Sequence, residues 1–163
     1  MPTKENWIEK LDLQPHPEGG YFKETYRSDM LDSFDGIKGI RNISTGIYFL
    51  LTKGNFSAFH RIKSDEMWHF YDGSAVSIYV IEPKGNLVHI KLGIDIAKGE
   101  VPQAVVPAGC WFASHIEEGE YSLTGCTVAP GFDFQDFELA QRAVLINRYP
   151  QHELIIEELT RMV

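Results

Sequence analysis

From Ile43 to Val128 the chain alternates short β-branched and aromatic runs with turns marked by glycine, proline or asparagine. Runs of this length, bounded in this way, read as strands. They predict strands near 43–52, 55–62, 66–72, 75–82, 86–92, 103–106, 110–115 and 121–128. Upstream, Thr3 followed by Trp7, Ile8 and Leu11 predicts a capped, short amphipathic helix. Pro15-His-Pro-Glu-Gly-Gly20 breaks it, Tyr21–Tyr26 reads as a further strand, and the polar stretch from Asp29 to Gly39 reads as a loop. After Pro130-Gly131 the apolar period becomes that of a helix. Phe137, Ala140, Val144 and Leu145 predict one helix, and Leu154, Ile155, Glu158 and Leu159 predict another after Tyr149-Pro150. The expectation is an all-β barrel or jelly roll over about 20–135, with a short N-terminal helix and two C-terminal helices over about 136–162. A length of 163 residues is that of a single domain.

Composition narrows the function more than the fold. A formal charge of −8 with no basic cluster argues against nucleic acid and anionic membrane as partners. No apolar run reaches membrane-spanning length, and Met1–Trp7 lacks the apolar centre of a secretory signal, so a cytoplasmic protein is expected. Cys110 and Cys126 are too few and too far apart for a zinc site. The turn Glu117-Glu118-Gly119 suits a three-residue hairpin loop, whose register would set Cys110 opposite Cys126, Phe112 opposite Thr124 and Ser114 opposite Ser122. In a reducing compartment these would be two buried neighbouring thiols.

His60 and Glu66 carry the candidate chemistry. Strand side chains alternate between faces, so His60 shares its face with Phe56, Ala58 and Ile62. If Glu66 points inward on the next strand, Trp68 and Phe70 do too, and Met67, His69 and Tyr71 point away. The predicted lumen thus holds one imidazole and one carboxylate among apolar walls. Burial raises the pKa of a carboxyl and lowers that of an imidazole, which suits such a pair to acid–base work near neutral pH. A structural hydrogen bond between two buried polar groups is the alternative. His69 falls on the opposite face unless a bulge intervenes.

The spacing of Gly54, His60, Glu66 and Gly73 resembles the first motif of the cupin superfamily, G-x5-H-x-H-x3,4-E-x6-G. Pro15–Phe22, His60–Tyr71, Val106–Phe112 and Gly125–Phe134 together look like its uncharacterised fifth cupin family, over about residues 8 to 160. The resemblance implies a double-stranded β-helix, one cupin-like domain over 1–163, and a homodimer. It also implies kinship in shape with sugar-nucleotide epimerases that work without metal and use a histidine base, whose position His60 could match. Ile62 stands where the superfamily has its second metal-binding histidine, and Phe112 where it has the histidine of the second motif. Two protein ligands are few for a catalytic divalent ion, so no metal and no cofactor is expected. Three functions stay open: a metal-independent epimerase or isomerase on a carbohydrate-like substrate using His60 and Glu66; a non-catalytic protein holding a small ligand against Phe56, Ala58, Ile62, Trp68, Phe70 and Phe112; and a metal-dependent cupin enzyme.

Overall fold

The computed structural model describes residues 1–162. In chain order the elements are α1 (Lys4–Lys10), β1 (Gln14–Pro15), β2 (Tyr21–Arg27), β3 (Leu31–Ser33), β4 (Ile40–Asn42), β5 (Thr45–Thr52), β6 (Phe56–Arg61) and β7 (Asp65–Gly73). They continue with β8 (Val76–Ile81), β9 (Leu87–Leu92), β10 (Gln103–Val106), β11 (Trp111–His115), β12 (Tyr121–Ala129), β13 (Glu138–Leu139), α2 (Arg142–Arg148) and α3 (Glu153–Glu158). A six-stranded sheet in the order β1-β2-β5-β12-β7-β10 faces a five-stranded sheet in the order β13-β6-β11-β8-β9, and β3 pairs with β4 alone. The predicted jelly-roll architecture is therefore present. No described helix is long and apolar enough to cross a membrane.

The inward faces of the two sheets build the main core. Phe49, Leu51, Trp68, Val76, Ile78, Val80, Leu92, Phe112 and Cys126 pack there. Each large side chain closed off in this way contributes about 1.5–3 kcal/mol. The outward face of the five-stranded sheet is covered as well. Phe59, Ile81, Trp111 and Ala113 meet Leu145, Tyr149, Ile156 and Leu159 from the C-terminal helices. On the other side, Trp7, Ile8 and Leu11 lay α1 against Leu50, Leu123 and Tyr121. Thr3 caps that helix in a reciprocal box with Asn6, and Trp7 Nε1 donates to Asp72 at 2.9 Å.

The structure corrects three expectations from the sequence. The 110–115 and 121–128 strands do not form a hairpin. β11 pairs with β6 and β8, whereas β12 pairs with β5 and β7, so the connection crosses from one sheet to the other. Glu117 in that connection accepts hydrogen bonds from Ser77 and Tyr79 of β8, which ties the corner to the five-stranded sheet. A glycine-marked polar corner between sheets carries the same local signal as a hairpin turn. Phe112, Cys110 and Cys126 instead meet in the layer between the sheets. Second, the segment read as a loop from Asp29 contains β3, which pairs Leu31 with Asn42 and Ser33 with Ile40; the strand is exposed throughout and shows no apolar alternation. Third, Phe137 and Ala140 precede α2. Ala140 donates its backbone N–H to Phe59, continuing the β13–β6 pairing.

Both cysteines are free and buried. Burial raises each thiol pKa, that of Cys126 well above its usual value. Native protein is expected to resist iodoacetamide, with both thiols reacting only on denaturation. Labelling of either under native conditions, followed by intact mass, would contradict this.

Candidate functional site

A cavity of about 430 Å³ opens between the sheets, lined by residues of β2, β5, β6, β7 and β12. This is within the size range of small-molecule pockets. His16, Phe22, Ile47, His60, Ile62, Glu66, Cys126, Val128 and the buried Thr45 line it, with the exposed Glu24, Arg27 and Phe134 and the half-buried Phe132, Asp133 and Phe137 at its mouth.

The two strands that carry the predicted pair deliver it differently. On β7, alternation holds near Glu66: the carboxylate faces the cavity, Trp68 lies in the core, and His69 turns away to bond Thr127 Oγ1 at 3.0 Å. The one irregularity between β7 and β12 falls beyond His69, between Leu123 and Thr124. On β6 alternation breaks. His60 pairs with Phe112, yet Ser57 pairs with Ser114, so three steps on β6 match two on β11. This bulge turns Phe56 to the opposite face, where it packs with the C-terminal helices under the Arg161 guanidinium, 4.1 Å from its ring. The expectation that Phe56 lines the lumen fails for that reason.

The other expected lining residues divide. Ile62 contributes wall directly. Phe112 packs on His60 with ring centroids 4.1 Å apart. Ala58 sits in the bulge and acts through its backbone, accepting from His60 Nδ1 at 2.7 Å. Trp68 stands edge-on to Phe49 within the core, its Nε1 unpaired. Phe70 lies away from this cavity and lines a second depression with Gly73, Ser77 and Glu117.

His16 and Cys126 join the site without having been singled out for it. His16 belongs to the turn closed by hydrogen bonds between His16 and Gly20 and between Gly19 and His16. Gly19, at φ 108°, must be glycine there, because a Cβ would strike the Phe56 carbonyl. The turn sets the His16 ring edge-on to Phe22 and Phe49, with centroids 4.8 and 5.8 Å apart respectively. A histidine between two prolines and ahead of paired glycines was the available signal. The mouth is pinned by polar contacts: Phe132 N–H donates to Thr45 Oγ1 at 2.9 Å, and Arg27 donates to the Phe132 carbonyl at 3.0 Å. Asp136 is gripped by Arg41 at 2.8 and 2.9 Å.

Burial sets the protonation states. Glu66 is pushed from 4.5 up to about 7 by loss of water, with the nearby Trp68 and Cys126 side chains partly opposing the rise. Its Oε2 is closed off and makes no hydrogen bond. His60 is pulled down to about 4 by burial, against the pull of its Ala58 hydrogen bond. Burial likewise takes His16 down to about 4. At neutral pH the cavity therefore holds two uncharged imidazoles and a carboxyl group balanced between its two forms.

His60 does not spend its Nε2 on Glu66. Its Nδ1 faces a carbonyl, which only accepts, so the neutral ring carries its proton on Nδ1 and presents a bare Nε2. The donor set does not fit the metal that most cupins hold. Carbon side chains, Ile62 and Phe112, occupy two of the four ligand positions, and no three His, Cys, Asp or Glu groups among the described residues converge as a metal site.

Residues 5–140 match the family described as Cupin superfamily (DUF985). An uncharacterized protein of Saccharomyces cerevisiae is 34% identical over 154 residues, covering 83% of this chain and 76% of its own. A Shewanella oneidensis protein of known crystal structure is 43% identical, with a TM-score of 0.91 over 100% of both chains. A hypothetical protein from Leishmania major is 36% identical, with a TM-score of 0.92 over 99% of this chain and 100% of its own. Oxalate decarboxylase from Bacillus subtilis is 13% identical, with a TM-score of 0.58 over 91% of this chain and 37% of its own, a likeness of fold alone.

Proposed function

Because the chain belongs to the DUF985 family of the cupin superfamily, we propose that it binds a small molecule in the His60–Glu66 cavity and moves a proton on it without a metal ion, as an isomerase or epimerase of a carbohydrate-like hydroxycarbonyl compound. One observation carries the reading. A carboxyl group with a pKa of about 7, one of its oxygens lacking any hydrogen-bond partner, lines the same aromatic-walled cavity as a neutral imidazole. A proton carrier is most effective when its pKa lies near the working pH, and Glu66 meets that condition where His60, at about 4, does not. The roles are therefore the reverse of a histidine-base mechanism.

The Glu66 carboxylate takes a proton from the carbon beside the substrate carbonyl. The C–H bond breaks, an O–H bond forms on Glu66, and the electron pair moves through the new C=C onto the carbonyl oxygen. Return of the proton to the other face, after the enediolate turns in the cavity, epimerises the centre; its return to the neighbouring carbon, with the hydroxyl proton passing to the former carbonyl oxygen, isomerises the compound. His60 Nε2 accepts a hydrogen bond from the substrate hydroxyl and orients it. The phenylalanine rings at the mouth stack on the substrate and exclude water.

The test is deuterium uptake from D2O into carbon positions of a panel of aldoses, hydroxyketones and cyclic ketones, in the presence of chelator. Mass gain with the native protein and its loss in His60→Ala is the expected result. No uptake across the panel, or uptake indifferent to His60→Ala or abolished by the chelator, overturns the reading. A co-purified molecule found by native mass spectrometry, with no exchange, would instead favour a non-catalytic binding protein; the largely apolar lining supports that second reading.

A further inference from the structure

Glu18 donates its backbone N–H to His16 Nδ1 at 3.0 Å. An amide N–H cannot accept, so the Nδ1 of the neutral ring is bare and the proton sits on Nε2. This is the reverse of His60, whose Nδ1 donates to Ala58. Both residues line one cavity, and neither Nε2 has a hydrogen-bond partner among the described residues. The backbone has thus locked two imidazoles into opposite polarity: a donor at His16 and an acceptor at His60.

The rest of the cavity gives no purchase to an anion. Arg27 is the one Lys or Arg that lines it among the described residues. Its N–H groups go to Glu24 at 2.6, 3.1 and 3.3 Å, to Asn42 at 2.8 Å and to the Phe132 carbonyl at 3.0 Å. Glu24 and Asp133 add negative charge at the same mouth. A pyrophosphate or carboxylate needs free, forked or cationic donors, and here it would meet acidic groups instead.

We propose that His16 is a specificity-determining residue of this site, and that its Nε2–H together with His60 Nε2 selects an uncharged ligand presenting one hydrogen-bond acceptor beside one donor, such as an α-hydroxyketone, while excluding phosphorylated and carboxylated compounds. The proposal narrows the substrate class of the cavity and rests on reading it as a ligand site. The His16 N–H meets the carbonyl oxygen, the His60 nitrogen meets the hydroxyl, and the phenylalanines cover the apolar body. A site built around hydrogen bonds rejects ligands that leave its buried polar groups unpaired. The sugar nucleotides used by metal-free epimerases fall outside this class because of their pyrophosphate.

The test uses the full chain in two independent measurements. Long-range proton–nitrogen NMR of the ligand-free protein, labelled with nitrogen-15, reads the tautomers directly. His16 is expected as the Nε2–H form and His60 as the Nδ1–H form, both untitrated between about pH 6 and 8; the same tautomer in both rings overturns the proposal. Titration with 2-hydroxyacetophenone and with mandelate, an anion of similar shape, is expected to favour the neutral compound by at least about tenfold. Equal or tighter mandelate binding, or binding of neither at millimolar concentration, overturns it. His16→Phe keeps a ring without the N–H and is expected to lose about tenfold in affinity for the neutral probe. His16→Gln, which retains an N–H donor, is expected to recover part of it; unchanged binding in His16→Phe overturns the role given to His16. Should His16→Phe fail to fold, the tautomers and the probe ratio of the native protein still decide. Absence of deuterium exchange with these results intact would sink the proton-transfer reading and leave this one standing.

Discussion

Replacing Glu66 by glutamine is expected to cut deuterium exchange by about 10²–10⁴-fold while raising the melting temperature at pH 8. The two effects share a cause. Burial lifts the folded-state pKa from 4.5 to about 7, so the folded protein holds this proton after the unfolded chain has released it. The group's contribution to stability is full below about pH 4.5 and is lost as pH rises through about 7. Above that, the ionised carboxylate costs roughly 3 kcal/mol, which glutamine avoids at nearly equal volume. For a chain of this size the gain is about 5–10 °C. At pH 4 the difference should nearly vanish, because the carboxyl is then neutral in the folded protein and largely so in the unfolded chain.

His16 and His60 tilt stability the other way. Their lowered values mean that stability is lost as pH falls from 6.5 through about 4. Variant and native protein are therefore compared at each pH by thermal unfolding. A purely structural Glu66 would give a lower melting temperature at pH 8 and no selective loss of exchange. The exchange rate of the native protein should rise with pH to a plateau, with an inflection near 7.

Arg41→Met is expected to lower the melting temperature by about 10 °C, and the double variant Arg41→Met/Asp136→Leu to regain most of that loss. Arg41 and Asp136 are buried and joined by two hydrogen bonds. Removing one partner strands a desolvated charge, whereas removing both leaves an apolar contact. The Arg41 hydrogen bonds hold the Asp136 carboxyl below its usual range. The stability from that pair is therefore present above the ordinary carboxylate pKa and disappears as pH falls through the lower folded value. Equal destabilisation in the single and double variants, measured by calorimetry at pH 7, would contradict this account. Because Asp136 ends the turn that carries Phe134 and flanks Phe137, both variants should also weaken ligand binding through the mouth.

Much of the sheet framework was legible because strand periodicity is local, and the strands from β5 to β12 fall within a few residues of their predicted runs. The convergence of His60 and Glu66 on one cavity followed from the same alternation. What escaped was whatever alternation does not encode. A single extra residue in β6 moved Phe56 to the far side of the sheet. The partners of β11 and β12 depend on a corner crossing between sheets, which residues 116–120 do not distinguish from a hairpin. His16 reaches the cavity from a turn between β1 and β2, so no strand pattern could have assigned it a face. The polarity of the two imidazoles depends on single backbone atoms of Glu18 and Ala58, and no side-chain pattern records that.

The cavity divides its labour between stiff and adjustable parts. Glu66 and His60 sit on strands paired on both sides, where small substitutions would disturb whole ladders. Phe132, Phe134 and Phe137 sit on a connection held at a few points, with Phe134 58% exposed. On the function proposed above, homologous chains would change which molecule they accept by exchanging aromatic residues along that connection, while His60 and Glu66 stay where they are.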